Sequence, residues 1–251
     1  MNNIKAIGFD LFNTLVTVKP HALDDALGRL TASLDAAGLE VDAAKFRADH
    51  RRAALRLIEQ SRVDGRETHN RFWISAALQD QDHHVAPNDA RIARAVEDYF
   101  SAFFDYTELI PGTEEMLTTL RSRYPVGLLS NFTHAPAARK ILAQLDISRF
   151  FDVILISGED GFRKPHSSIF FRLADGLGVE ARHLAYVGDD PEPDIEGARA
   201  AGMQPVWTTY VRDRNIAFAP GVASEQADGV NGEVPRISSW EELLQLFGLR
   251  S

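Results

Sequence analysis

The chain has no cysteine in 251 residues. That excludes disulfide bonds and thiolate metal sites and suits a reducing compartment, so a cytoplasmic location is expected. It also lacks a basic surplus: 27 Lys and Arg stand against 36 Asp and Glu, a formal net charge of -9. The footprint of a nucleic-acid binder is therefore missing, and short runs such as Arg51-Arg52, interleaved with apolar residues, read as solvated helix faces. No stretch approaches the ~20 apolar residues that span a bilayer. The N-terminal segment carries one Lys before an apolar run that Asp10 interrupts, which suits neither a signal peptide nor an anchor. Internal repeats and low-complexity segments are absent as well.

What is present is 45% hydrophobic content, enough to bury a full core in one large domain or two small ones. Ile4 to Phe9 is short, apolar and partly β-branched, and it ends at Asp10, as expected of a buried parallel strand delivering an acid at its carboxyl end. From about residue 20 to 104 the period changes to that of helices. Leu23-Ala26-Leu27-Leu30 and Ile92-Val96-Tyr99-Phe100-Phe103 mark a bundle of four, over 20–37, 41–62, 67–80 and 88–104. Beyond Ile110-Pro111-Gly112, helices 113–122, 135–145, 167–177 and 194–201 alternate with strands at 126–129, 153–156, 184–187 and 205–208. A last helix is expected at 239–247, and 211–237 reads mostly as surface loop. The pattern predicts an α/β fold, a doubly wound parallel sheet of residues 1–18 and 109–251, with a helical cap of 19–108 inserted after the first strand.

Ligands of open α/β sheets bind outside the carboxyl ends of the strands. Those ends carry Asp10, the pair Ser130-Asn131, Ser157 to Asp160, and Asp189 with Asp190: three acidic ends and one hydroxyl-amide pair. Each taken alone has a plain alternative. Asp10 could cap whatever follows, and Asp189, Asp190 and Asp194 could form an acidic helix start with Asp194 as N-cap. Ser130-Asn131 could be a turn pair, and Lys164 in Arg-Lys-Pro-His could face solvent. Against these, crowded carboxylates suit a hard cation such as Mg²⁺. A lysine held extended before a proline could neutralise both a nucleophilic carboxylate and a transferring anion.

The combination Asp10-x-x-x-Thr14, Ser130-Asn131, Lys164-Pro165 and Gly188-Asp189-x-x-x-x-Asp194 resembles the haloacid dehalogenase-like hydrolase superfamily, in the branch with a helical cap after the first motif. The likeness runs from Ile4 to about Thr208, with Leu109-Ile110-Pro111-Gly112 and Ser157-x-Glu159-x-Gly161-x-x-Lys164-Pro165 as further matches. It implies Asp10 as a nucleophile forming a covalent aspartyl intermediate, and Ser130, Asn131 and Lys164 around the transferring anion. Thr14 would support the nucleophile loop. Mg²⁺ would be held by Asp10, Asp189 and the backbone carbonyl of Phe12, with Asp194 behind them or near Lys164. Asp190 stands where many relatives have Ser, and its role is open.

One position departs from the phosphatase pattern of the superfamily, which places an acid two residues after the nucleophile; this chain has Phe12. A positioned acid-base contributes ~10²–10⁴-fold, so a phosphatase without it is expected to be slow or specialised. Phe or Tyr there resembles the dehalogenase branch, where halide leaves without protonation. Those relatives, however, work without Mg²⁺ and replace the acids retained here as Asp189, Asp190 and Asp194. A Schiff-base mechanism would need a lysine in the helical insertion, and the only one within its helices, Lys45, sits on an ordinary amphipathic helix. The leading expectation is Mg²⁺-dependent hydrolysis of a small phosphorylated metabolite by a monomer or homodimer. The alternatives are 2-haloacid dehalogenation and a metal-binding protein without catalysis. His134 and His166 read as surface histidines; Trp73, Phe72 and Tyr99 are candidates to line the site or to fill the bundle core.

Overall fold

The structure is a computed structural model, described here for residues 1, 3–219, 229–230 and 232–249. In chain order, β1 (Ala6–Phe9) and β2 (Val16–Val18) precede the long helices α1 (Ala22–Ala36), α2 (Ala43–Asp64), α3 (Asn70–Gln79) and α4 (Ala90–Tyr106). Then follow β3 (Thr107–Leu109), α5 (Thr113–Arg121), β4 (Val126–Ser130), α6 (Ala135–Gln144), β5 (Val153–Ile156) and the short α7 (Ser157–Asp160). The chain continues with α8 (Ser167–Gly176), β6 (Leu184–Gly188), α9 (Gly197–Ala200), β7 (Gln204–Thr208), α10 (Tyr210–Asp213), β8 (Arg236–Ile237) and α11 (Trp240–Leu246).

Six strands form one sheet in the order β5-β4-β1-β6-β7-β8, every neighbouring pair parallel. Alternation along the strands explains why helices cover both faces. Ile7, Phe9, Ala185 and Val187 enter one core with α5, α6 and α11; Ala6, Leu184 and Tyr186 enter another with α8 and α9. Gly8 and Gly127 face each other in register, and Leu173 of α8 lies over both. A Cβ on either would come within 2.8 and 2.7 Å of a Leu173 methyl, so the two glycines let α8 approach the sheet.

The helical insertion has a core of its own, built from Leu27, Leu30, Phe46, Ile74, Ile92, Val96 and Phe100 and shared at one edge with Ala137 and Ile141 of α6. Its helices start where side chains satisfy the first amides: Asp42 accepts from Lys45 N at 2.8 Å, and Asp89 from Arg91 N at 2.8 Å. The sequence reading missed an antiparallel ribbon, β2 with β3, that closes the neck of the insertion by pairing Val16 with Leu109 and Val18 with Thr107. Three-residue strands carry too little pattern to be read.

Two further differences concern loops. The helix expected at 194–201 begins earlier, as a π-helical turn Pro191–Glu196 capped by Asp190 and followed by α9. Proline needs no amide partner in a first turn, so Pro191 starts the helix rather than delaying it. Within 211–237, α10 and β8 are ordered elements; the loop expected over 220–228 and at 231 lies outside the described residues. No described helix is long and apolar enough to cross a membrane.

Candidate active site

Because β1 lies between β4 and β6, the carboxyl edge of the sheet sets Asp10 beside Ser130 on one flank and Asp189 on the other. Asp10 N donates to Val187 O at 2.9 Å, which extends the β1–β6 ladder to the acid itself. Lys164 reaches in from the loop between α7 and α8 and is only 3% exposed. Its ammonium donates to Asp10 Oδ1 at 2.6 Å, Asp194 Oδ1 at 2.6 Å and Tyr186 Oη at 2.9 Å, which uses all three of its protons. Tyr186 in turn donates to Leu129 O at 2.9 Å.

Asp194 Oδ2 accepts from Asp190 N at 2.9 Å, and its carboxylate lies against Gly188. A Cβ at Gly188 would sit 2.4 Å from Asp194 Cγ, so only glycine leaves room for the acid. Asp189 is held differently: its carbonyl accepts from Trp207 Nε1 at 2.9 Å, and Thr14 Oγ1 is 3.5 Å from its Oδ1. Its Oδ2 is buried with no partner among the described residues.

Ligand oxygens of Asp10, Asp189 and Asp194 lie within 4.8 Å of one another, all buried, with one lysine to balance them. Burial raises the Asp10 carboxyl to about 6; the Lys164 charge opposes that shift and the Asp194 charge adds to it. Burial, then the charges of Asp194 and Asp10, push Asp189 well above the usual carboxylate range. Asp190 rises to about 6, from burial and from Asp194. Burial alone would lower Lys164, but Asp10 and Asp194 more than offset it and hold the lysine well above its ordinary value, hence charged. An all-oxygen set carrying excess negative charge and an orphaned Asp189 oxygen fits a hard dication.

Ser130 lies on the wall of a cavity shared with Asp10 and Asp189, and its buried Oγ has no partner among the described residues. Asn131 is spent differently from the expectation that it meets the anion: Nδ2 donates to Lys164 O at 2.9 Å and Oδ1 accepts from Lys164 N at 2.8 Å. It clamps the backbone that carries the lysine. Phe12 stacks on Phe132, ring centroids 5.1 Å apart.

Three residues absent from the sequence reading join the site or its rim. Tyr186 sits in an apolar strand, and its hydroxyl, which a buried tyrosine must pair, was the available signal. Trp207 anchors Asp189. Glu67, on the insertion, accepts from Ser157 Oγ at 2.6 Å and pairs with Arg163 at 3.3 Å. Beside it, Arg163 N donates to Gly65 O at 2.9 Å and Glu67 N to Gly161 O at 3.0 Å, a short main-chain pairing between the insertion and the loop leading to Lys164.

His134 is not a surface histidine. It is buried where the insertion meets α6, with Nδ1 3.1 Å from His69 Nε2 and Nε2 2.9 Å from Glu97 Oε1. His166 is half-buried and caps α8. Trp73 and Tyr99 line the cavity; Phe72 is 41% exposed and does not. Lys45 pairs with Asp49 on the insertion itself and is absent from the cavity wall.

The family model of haloacid dehalogenase-like hydrolases matches residues 4–202, and the chain belongs to that family. It is 28% identical over 238 residues to a glyceraldehyde 3-phosphate phosphatase of Pyrococcus furiosus, covering 94% of this chain and 92% of that one. It is 30% identical over 223 residues to a phosphoglycolate phosphatase of Escherichia coli, covering 83% and 82%. Among solved structures, a 2-haloacid dehalogenase from Pseudomonas syringae superposes with a TM-score of 0.70 over 98% of each chain at 22% identity, a likeness of fold.

Proposed function

We propose that the chain is a Mg²⁺-dependent phosphoric monoester hydrolase with Asp10 as nucleophile and residues 19–108 as a cap over a core of 1–18 and 109–251. The observation that carries this reading is the charge arrangement: one buried ammonium shared by Asp10 and Asp194, beside an Asp189 oxygen with no partner. The phosphatase names of the two relatives support the same class.

An Asp10 oxygen attacks phosphorus, the ester P–O bond breaks, and its electron pair departs with the alcohol oxygen. Water then attacks the phosphorus of the aspartyl phosphate, which frees phosphate and restores the Asp10 carboxylate. Ser130 Oγ binds a phosphoryl oxygen where charge builds, and Lys164 turns to another the proton it now gives to Asp10. Asn131 and Thr14 hold the Lys164 and nucleophile loops. Asp10, Asp189 and the Phe12 carbonyl would hold Mg²⁺, with Asp194 behind and Asp190 at the margin; when bound, the ion offsets negative charge on the phosphoryl group. The substrate is a small phosphorylated metabolite, and the protein acts in the cytoplasm as a monomer or homodimer.

The test is Asp10→Asn, which keeps the shape and removes the attacking carboxylate. Turnover of an aryl phosphate with Mg²⁺ should vanish while the fold persists; retention of more than a small fraction of wild-type activity would sink the covalent mechanism. Phe12 favours a second reading, dehalogenation, because halide needs no proton on leaving. Release of halide from 2-chloropropionate without phosphatase activity would establish it.

A further inference from the structure

Between the insertion and the sheet edge lies a cavity of about 690 Å³, with Asp10 and Asp189 at one end. Rings make up much of its wall, Phe12 next to the acids and then Phe132, Phe100, Phe103, Tyr99 and Trp73, with charged residues at the rim. The rings touch in sequence. Phe12 stacks on Phe132, Phe132 meets Phe100 at 5.1 Å between centroids, and Phe100 meets Tyr99 edge-on at 4.9 Å. Close-packed cores leave few voids larger than a water molecule, so rings that belong to the core of the insertion and also border a space this size present part of their surface to a ligand.

Two features say what the cavity takes. Trp73 is buried, and its Nε1 finds no partner among the described residues; a buried indole N–H normally does, so the wall offers one donor to a ligand. The arginines at the rim are already engaged. Arg62 pairs with Glu192, Arg163 with Glu67, and Arg212 lies over the rings of Trp207 and Phe218. A phosphate of two or three carbons would leave most of such a space unfilled, in the ~300–1,000 Å³ range of drug-sized ligand sites.

The other end agrees on chemistry. Phe12 can protonate nothing, so a leaving oxygen that is stable as an anion is favoured. A phenol ionises near ~10 and water only near ~15.7; a phenolate leaves unaided where an alkoxide does not.

Resting on the phosphatase reading, we infer that the substrate is a phenolic phosphate monoester whose ring lies among these aromatics and carries a hydrogen-bond acceptor toward Trp73. Asp10 displaces phenolate, which takes a proton from solvent, and water hydrolyses the aspartyl phosphate.

Steady-state kinetics with Mg²⁺ on phenyl, benzyl and acetyl phosphates and on 2-phosphoglycolate test this. Acetyl phosphate needs no acid but has no ring; benzyl phosphate has the ring but a poor leaving group. Phenyl phosphate should show the highest kcat/KM. Benzyl phosphate should share its low KM with kcat lower by about 10²-fold, the lower end of what an acid supplies. Phe103→Leu should cut the ratio of kcat/KM for phenyl over acetyl phosphate about tenfold, and Phe100→Leu serves if that variant does not fold. Trp73→Phe should weaken 4-nitrophenyl phosphate, which carries an acceptor, more than phenyl phosphate. Faster hydrolysis of 2-phosphoglycolate than of phenyl phosphate, or an unchanged ratio in the leucine variant, overturns the inference and leaves the phosphatase reading standing. No turnover of any ester overturns both.

Discussion

Phe12 stacks on Phe132 with ring centroids 5.1 Å apart and planes 15° from parallel. The ring occupies the loop position two residues beyond the nucleophile, so a substitution there tests what the missing acid costs. Phe12→Asp should raise kcat on benzyl phosphate by up to ~10²-fold and on aryl phosphates less, since phenolates need less protonation. The lost stack should lower stability by about 1 kcal/mol. Initial rates and urea unfolding on the same preparation measure both; a folded variant with no gain on any ester, beside a wild type that releases halide, favours dehalogenation.

Lys164→Met should be the most damaging single change at the site. It leaves Asp10 and Asp194 buried and facing each other without a cation, and breaking a buried pair from one side costs about 3–5 kcal/mol. Denaturant midpoints in EDTA should drop accordingly. A midpoint equal to wild type would mean that the pair of bonds seen here adds nothing.

Asp189→Asn should separate metal binding from folding. Calorimetric titration should show Mg²⁺ affinity severely weakened, because one of few carboxylate ligands is gone. Without metal the variant should melt no lower than wild type, since a buried charge raised by Asp194 and Asp10 has been removed. Equal Mg²⁺ affinities would remove Asp189 from the metal site.

His50 sets an acid limit on the insertion. Burial against Phe46, Trp73 and Tyr99 lowers its imidazole from 6.5 to about 4. The folded form therefore binds fewer protons than the unfolded one between those values. Stability is full above pH ~6.5 and falls as pH drops toward 4, by about 3 kcal/mol at 1.36 kcal/mol per pK unit. Thermal melts of wild type and His50→Phe from pH 7 to 4 should diverge in that window, with the phenylalanine variant losing less. Parallel curves would show that His50 does not carry the acid sensitivity.

The sheet and the acids at its edge were legible because a parallel strand buried on both faces is a continuous apolar run, and Asp10 and Asp189 stand where such runs stop. Helix periods likewise gave the four long helices of the insertion to within a few residues. Pairings between residues remote in sequence left no local trace. Asn131 looks like an anion donor until its amide is seen closing on the Lys164 backbone. His134 looks like a loop histidine until His69 and Glu97 meet it from the insertion. Tyr186 is hidden in an apolar strand, because nothing nearby says which charge its hydroxyl will meet.

The two main-chain hydrogen bonds joining residues 65 and 67 to 161 and 163 tether the insertion to the strip of backbone that ends in Lys164. Any motion that lifts the insertion from the sheet edge must part those bonds or drag that strip with it. Asn131 holds the Lys164 backbone at the sheet edge, and Asp194 and Tyr186 hold its ammonium, so the two main-chain bonds are the ones that part. The door would thus swing without unsettling the charge that faces the nucleophile.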